Sequence, residues 1–258
     1  MDEIMQEWID FAEELARESG KLVLGYFGTP LDVQHKADHS PVTKADQEAE
    51  ALMRRMIEVR FPQHQVVGEE SGTSGPAEAK LQWMLDPIDG TKSFIHGVPL
   101  FCTLIALLKE GRPILGAIHI PVSGELLIGA EGRETVLNGR PVHVSGTRSL
   151  SEATVVYTSS GSMWKEGYGE AFRALQDKAR LVRGWGDGYG HMLVATGRAD
   201  IMLDPILSPW DVAALKPCVE GAGGRLTDLQ GQVLDLGESA LSTNGHLHDE
   251  VLAIINSG

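Results

Sequence analysis

Leu85-Asp86-Pro87-Ile88-Asp89-Gly90-Thr91 is the stretch on which the reading of this chain turns. Trp83-Met84-Leu85 predicts a short buried strand ending at Asp86, Pro87 stiffens the turn, and Asp89 follows three residues later. Two carboxylates on one turn can converge on the same cations, and the Ile88 carbonyl between them offers another hard oxygen. An all-oxygen donor set favours Mg²⁺ or Mn²⁺ over zinc. Gly90 then lets a ligand approach the backbone and opens a short helix, Thr91 to Ile95. The free N–H groups at that helix start form a natural phosphate cradle. The bland alternative is an Asp-Pro turn followed by a helix that Asp89 caps.

Further acids stand at element ends to either side. Glu69-Glu70 closes a short strand, Gln65 to Gly68, ahead of a Gly/Ser-rich stretch. Asp211 lies at a helix start in Pro209-Trp210-Asp211-Val212-Ala213-Ala214, and Asp46 in Thr43-Lys44-Ala45-Asp46. Read singly, each is better explained as a cap, a turn or a solvated charge. Together they are what a multi-metal site assembled from distant segments requires.

The rest of the chain supplies the frame. Residues 2–27 predict an amphipathic helix with Ile4, Trp8, Phe11, Leu15, Leu22 and Tyr26 near one face. A polar segment, His35 to Ser40, leads to a second helix from Thr43–Asp46 that Pro62 closes, and residues 71–76 predict a mobile loop. Phe101–Lys109, Pro113–Pro121 and Glu125–Ala130 read as strands joined at Glu110-Gly111 and Ser123-Gly124, with a further hairpin at Asn138-Gly139. The second half alternates: strand Thr154–Thr158, helix near Lys165–Asp177, helix Gly188–Thr196, strand Asp200–Leu203, helix Asp211–Gly221, strand Arg225–Asp228 and a last helix from His246. This mixture without strict βαβ repetition predicts a layered α/β or α+β fold. No repeat or linker divides it, so the chain reads as a single catalytic unit over 1–258.

With 258 residues, 42% hydrophobic and 22% charged, the chain can bury a large core. Acidic side chains outnumber basic ones 36 to 22, a net charge of −14, which argues against nucleic-acid binding. It also looks wrong for a phosphorylated substrate unless a cation lies between carboxylate and phosphate. Cys102 and Cys218 lie in apolar stretches without metal-type spacing and read as reduced, buried thiols. No apolar run approaches the roughly 18 residues of a membrane span, and the N-terminus is acidic where a secretory signal is basic, so a cytoplasmic protein is expected.

The segments Gly68-Glu69-Glu70-Ser71, Asp86-Pro87-Ile88-Asp89-Gly90-Thr91 and Trp210-Asp211-Val212-Ala213-Ala214 together resemble the inositol monophosphatase superfamily of Mg²⁺-dependent, lithium-sensitive phosphomonoesterases. The resemblance implies a layered αβαβα sandwich, a homodimer and two or three Mg²⁺ ions, replaceable by Mn²⁺. It implies Glu69, Asp86, Asp89, Asp211 and the Ile88 carbonyl as metal ligands, most of them in the N-terminal half. Gly90 and Thr91 become phosphate donors. Glu69, Asp46 and Thr91 match the residues that hold the attacking water, with Asp46 fixing the Thr91 hydroxyl and no covalent intermediate forming.

Within that superfamily the second half looks most like the histidinol-phosphate phosphatase branch. The run is Arg183-Gly184-Trp185-Gly186-Asp187-Gly188-Tyr189-Gly190, continuing through Asp200 to Asp204-Pro205. Asp187, Asp204 and Arg183 are thereby implied in substrate binding, since carboxylates there would favour a cationic leaving group over inositol hydroxyls. Lys92-Ser93 replace the Asn expected of inositol-specific members, and Gly188 and His191 depart from the commonest branch pattern. The alternatives are an inositol-1-phosphate phosphatase and, from another class, a regulatory partner-binding protein with secondary phosphatase activity. A haloacid dehalogenase-like scheme needs Asp-x-Asp, whereas here Pro87 and Ile88 both intervene. Serine-hydrolase, P-loop and dinucleotide-binding signatures are absent.

Overall fold

The computed structural model describes residues 2–36 and 40–257, so part of the polar segment His35–Ser40 lies outside the described residues. The first half opens with α1 (Asp2–Tyr26), a ribbon of β1 (Val33–His35) against β2 (Pro41–Thr43), and α2 (Lys44–Arg60). Next come β3 (Gln65–Gly68), β4 (Gly72–Ser74), β5 (Leu81–Asp89) and the short α3 (Thr91–Ile95). Then follow β6 (Cys102–Lys109), β7 (Arg112–Ile120), β8 (Glu125–Ala130), β9 (Val136–Leu137) and β10 (Arg140–Pro141). These build an eight-stranded sheet of order β10-β9-β8-β7-β6-β5-β3-β4, antiparallel except where β3 runs beside β5. The β6–β7 and β9–β10 turns carry Glu110-Gly111 and Asn138-Gly139, all four residues at positive φ, as tight hairpin turns of the primed type demand.

The second half contains β11 (Thr154–Tyr157), α4 (Ser160–Lys165), α5 (Gly169–Lys178), β12 (Leu181–Arg183) and α6 (Asp187–Ala195). It continues through β13 (Ile201–Asp204), α7 (Pro209–Ala213), α8 (Leu215–Gly221), β14 (Arg225–Thr227), β15 (Ala240–Thr243) and α9 (His248–Ile255). Its sheet has the order β12-β11-β13-β15-β14, with β11 parallel to both its neighbours.

Side-chain alternation along the strands sets the layers. Trp83 and Leu85 of β5 face Phe11, Leu15, Met53 and Ile57 of α1 and α2. Met84, between them, faces the opposite way, toward Met192, Val212, Leu215 and Cys218 of α6, α7 and α8. On β11, Val156 packs with Leu193 and Val194 of α6, while Val155 points outward to Phe172, Leu175 and Val251. The five layers are thus helix pair, large sheet, central helices, small sheet and outer helices, the expected αβαβα order. Gly116 and Gly129 permit the close fit of the central layer, because a Cβ would lie 2.1 Å from the Ala214 carbonyl oxygen or 2.2 Å from that of Pro217. Cys102 and Cys218 are free and buried, as expected.

Several local expectations are corrected. The stretch 71–76 contains β4, which pairs with β3. The helix expected near 165–177 begins only at Gly169, as α5, and Gly167 at φ 88° separates it from α4, which the sequence reading lacks. The one expected over 211–221 divides into α7 and α8 at Ala214. Strands β12 and β15, and the β1–β2 ribbon, are additions to the sequence reading; each is three or four residues long, too short for a periodic signal.

Candidate active site

The antiparallel register of β5 against β6 slips between Asp86 and Asp89. Pro87, lacking an N–H, suits this bulge. The Ile88 N–H donates to Asp86 Oδ1 at 3.0 Å, and the Thr103 hydroxyl donates to the Pro87 carbonyl at 2.9 Å. Both fasten the slipped segment. Asp211 arrives from the central layer as the third residue of α7, its carboxylate accepting the Ser208 N–H at 2.8 Å. It is therefore a helix-capping acid and a site acid at once.

Asp86, Asp89 and Asp211 each offer an oxygen within 4.8 Å of the others. Asp86 and Asp89 are only 2% and 8% exposed. Burial, then the charges of Glu69, Asp89 and Asp211, push the Asp86 carboxyl well above its ordinary range. Burial, then Asp187 and Asp211, does the same to Asp89. Burial raises Asp211 to about 6 against the opposing Ser208 bond. Buried, mutually repelling, all-oxygen groups of this kind fit a hard divalent cation, which would remove the repulsion that otherwise favours protonation.

These acids line a cavity of about 440 Å³ together with Lys36, Glu69, Ile88, Gly90, Thr91, Lys92, Asp187 and Trp210. A hollow of about 590 Å³ elsewhere, walled by Arg112, Glu131, Lys216 and Glu220, lacks such a converging set. Glu69 lies outside the trio and pairs with Lys36, whose Nζ is 2.6 Å from Glu69 Oε1 and 2.7 Å from Glu70 Oε1. Burial works to lower the Lys36 ammonium, but bonds from Glu69 and Glu70 carry it above its ordinary value. Burial lifts Glu70 to about 7 despite Lys36. Behind this segment Glu50, wholly buried on α2, accepts the N–H of Glu70 at 2.7 Å and of Ser71 at 2.9 Å. Arg54 Nε holds Glu50 at 2.8 Å, and the same guanidinium binds the Ser74 hydroxyl and the Gly72 carbonyl.

The expected Asp46–Thr91 contact is replaced by others. Asp46 Oδ2 accepts the N–H and hydroxyl of Thr43 at 2.8 and 2.6 Å, a capping box at the start of α2. The Thr91 hydroxyl donates instead to the Ile88 carbonyl at 2.9 Å. Gly90 sits at φ 84° where α3 begins, with no side chain capping the first turn.

The expected substrate residues separate. Asp187, at φ 57°, lines the cavity, and a Cβ at Gly90 would lie 3.0 Å from its Oδ2. Burial raises Asp187 to about 6, opposed by Lys92. Asp204 is 3% exposed and off the cavity wall, its Oδ2 accepting the Thr158 hydroxyl at 2.6 Å. Arg183, at the exposed end of β12, is also off that wall and donates to the Val182 carbonyl at 2.8 Å. Neither stands on the cavity wall, because strand pairing turns one inward and the other out. The Gly188 departure has a steric cause: a Cβ there would lie 2.6 Å from Cys102 Sγ and 2.7 Å from Asp89 Oδ2. His191 is buried with Nδ1 2.6 Å from the Ser242 hydroxyl. Sequence reasoning missed Lys36 and the Glu50–Arg54 pair; a lone lysine in a polar segment and an i, i+4 charge pair are too common to stand out.

A buried carboxylate cluster opening on a cavity, between two sheets and on a bulged strand end, has the donor set and the setting of a metal-dependent hydrolase site. The comparisons specify it. The Inositol monophosphatase family pattern matches residues 4–257. A histidinol-phosphatase of Chlorobaculum parvum is 45% identical over 97% of both chains. One of Mycobacterium tuberculosis is 40% identical over 95% of this chain and 96% of its own. The solved structure of an inositol monophosphatase from Zymomonas mobilis superposes with a TM-score of 0.86 at 36% identity, covering 97% of this chain and 98% of its own. The chain belongs to the inositol monophosphatase family and is a phosphatase, a phosphoric monoester hydrolase acting on small phosphorylated substrates. That family is metal-dependent, in keeping with the acidic cluster. No described helix is long and apolar enough to cross a membrane.

Proposed function

We propose that this phosphatase hydrolyses L-histidinol phosphate to L-histidinol and phosphate, using Mg²⁺. The observation that carries the substrate choice is Asp187, a carboxylate on the cavity wall beside Gly90, where a cationic leaving group would pair with it. Raised to about 6, Asp187 is ionised at neutral pH and available to an ammonium or imidazolium. The 45% identity to a histidinol-phosphatase supports the same reading. Of the three expected substrate residues, Asp187 is the one on the cavity wall, and Asp204 stands behind it.

Asp86, Asp89 and Asp211 would hold the metal, with Glu69 and the Ile88 carbonyl at its margin. Bound there, Mg²⁺ would supply charge neutralisation for the phosphoryl oxygens and acidify water for in-line attack. Glu69 and the Thr91 hydroxyl, both on the cavity wall, would orient that water, while the Gly90 and Thr91 amides hold phosphate oxygens. Asp46 would act through Thr43, by fixing where α2 begins.

A phosphate-release panel with Mg²⁺ tests the reading, comparing L-histidinol phosphate, inositol 1-phosphate and fructose 1,6-bisphosphate. The expected result is a kcat/KM for histidinol phosphate at least about tenfold above either other substrate. A higher value for inositol phosphate would overturn the substrate choice and leave the phosphatase standing.

A further inference from the structure

The connection between Asp204 and Asp187 runs through one hydroxyl. Tyr157 of β11 pairs in parallel with Leu203 of β13, so the next residues, Thr158 and Asp204, meet at the C-terminal end of these two interior strands. Thr158 Oγ1 donates to Asp204 Oδ2 at 2.6 Å and accepts the Asp187 N–H at 2.9 Å. Asp187 is held at φ 57°, a left-handed conformation that side-chain-bearing residues seldom adopt. Gly186 allows this approach, because a Cβ on it would lie 2.2 Å from Thr158 Cα. Ile206, two residues beyond Asp204, lines the same cavity.

We infer that Thr158 and Asp204 are positioning residues that set the leaving-group selectivity of the cavity by holding Asp187 in its left-handed conformation. The inference rests on Asp187 being the group that reads the leaving group. Asp204 carries no contact with substrate in this arrangement. Its carboxyl group, 2.6 Å from the Thr158 hydroxyl, fixes that side chain so that an oxygen lone pair faces the Asp187 N–H. Removing the hydroxyl leaves a left-handed aspartate with no acceptor for its N–H, and the backbone relaxes toward commoner conformations. The carboxylate then leaves its place beside Gly90.

The test compares Thr158→Val, Thr158→Ser and Asp187→Ala in the Mg²⁺-loaded enzyme, with L-histidinol phosphate and inositol 1-phosphate as substrates. Thr158→Val, close in shape to threonine, is expected to raise KM for histidinol phosphate about five- to tenfold. Its kcat should stay within about twofold, with little change for inositol phosphate. Thr158→Ser should restore the parent selectivity. A Thr158→Val enzyme with parent selectivity, or one in which both substrates suffer equally, overturns the inference. A crystal structure of Thr158→Val gives a second readout independent of turnover: Asp187 leaving positive φ supports the positioning role, and Asp187 unmoved overturns it. Should Asp187→Ala itself leave selectivity unchanged, the reading of Asp187 fails separately, and that crystal structure alone decides the role of Thr158.

Discussion

Asp89 Oδ2 accepts the Cys102 thiol at 3.2 Å and the Gly188 N–H, so one side chain joins the bulged strand to the first turn of α6. Asp89→Asn keeps the shape and removes the charge. Phosphate release with Mg²⁺ should fall at least about a hundredfold, and Mn²⁺ binding followed by electron paramagnetic resonance should weaken in parallel. The metal-free variant should melt at or above the parent temperature, because a buried repulsion has gone; near-normal turnover in a folded variant would remove Asp89 from the site. At the other face of the sheet, His119 is 5% exposed with its Nδ1 unpartnered. Burial, then Arg17, lowers it to about 4. The unfolded chain therefore takes up this proton first as pH falls. The contribution of neutral His119 is complete above about pH 6.5 and is lost on acidification toward the folded value, at about 1.4 kcal/mol per pH unit. Stability of the parent relative to His119→Leu, from urea unfolding at pH 7 and pH 5, should fall accordingly; a constant difference would disprove it.

At the scale of elements, the β3–β4 hairpin is clamped from behind by α2. Glu50 takes two successive backbone N–H groups of the turn, and Arg54 ties Glu50 to the Ser74 hydroxyl and the Gly72 carbonyl. Arg54→Met strands the Glu50 charge in the core, and the expected cost is about 3–5 kcal/mol in unfolding free energy. Since the clamped turn follows Glu69, activity of the folded fraction should fall as well. A loss under about 1 kcal/mol with full activity would show that the clamp is dispensable. The same interactions explain why 71–76 is ordered: a Gly/Ser-rich composition predicts freedom, but buried acceptors and a strand partner remove it.

Across the whole molecule, the candidate metal residues come from different layers: Asp86 and Asp89 from the large sheet, Asp211 from the central helices. A cation there would hold layers together as well as serve catalysis. Saturating Mg²⁺ or Mn²⁺ at about a hundred times its dissociation constant should add about 2.7 kcal/mol to stability. For a chain of this size that is a rise of about 5–10 °C in melting temperature, reversed by a chelator. Calorimetry with and without cation reads it directly. An unchanged Tm at concentrations that support turnover would mean that the acids do not form the resting cation site.

What could be read from the chain alone is local. The bulge-forming Asp-Pro-Ile-Asp-Gly-Thr turn, the hairpin turns and the amphipathic helices are set by backbone chemistry and periodicity over a few residues, and neighbours in sequence suffice to specify them. The acids at element ends were legible as candidates for the same reason, though each could equally serve a helix end, and Asp211 and Asp46 do so as the third helical residues of capping boxes begun by Ser208 and Thr43. Tertiary structure alone decided which of them share a cavity. Strand register put Asp204 behind Thr158 and Asp187 in front of it, and the long-range ion pair between Lys36 and Glu69 brought a missed cation to the wall. Such contacts join residues tens of positions apart through burial and hydrogen bonding, which no local spacing encodes. Leu85 to Thr91 therefore announced the chemistry, and the packing of two sheets around three central helices chose its partners.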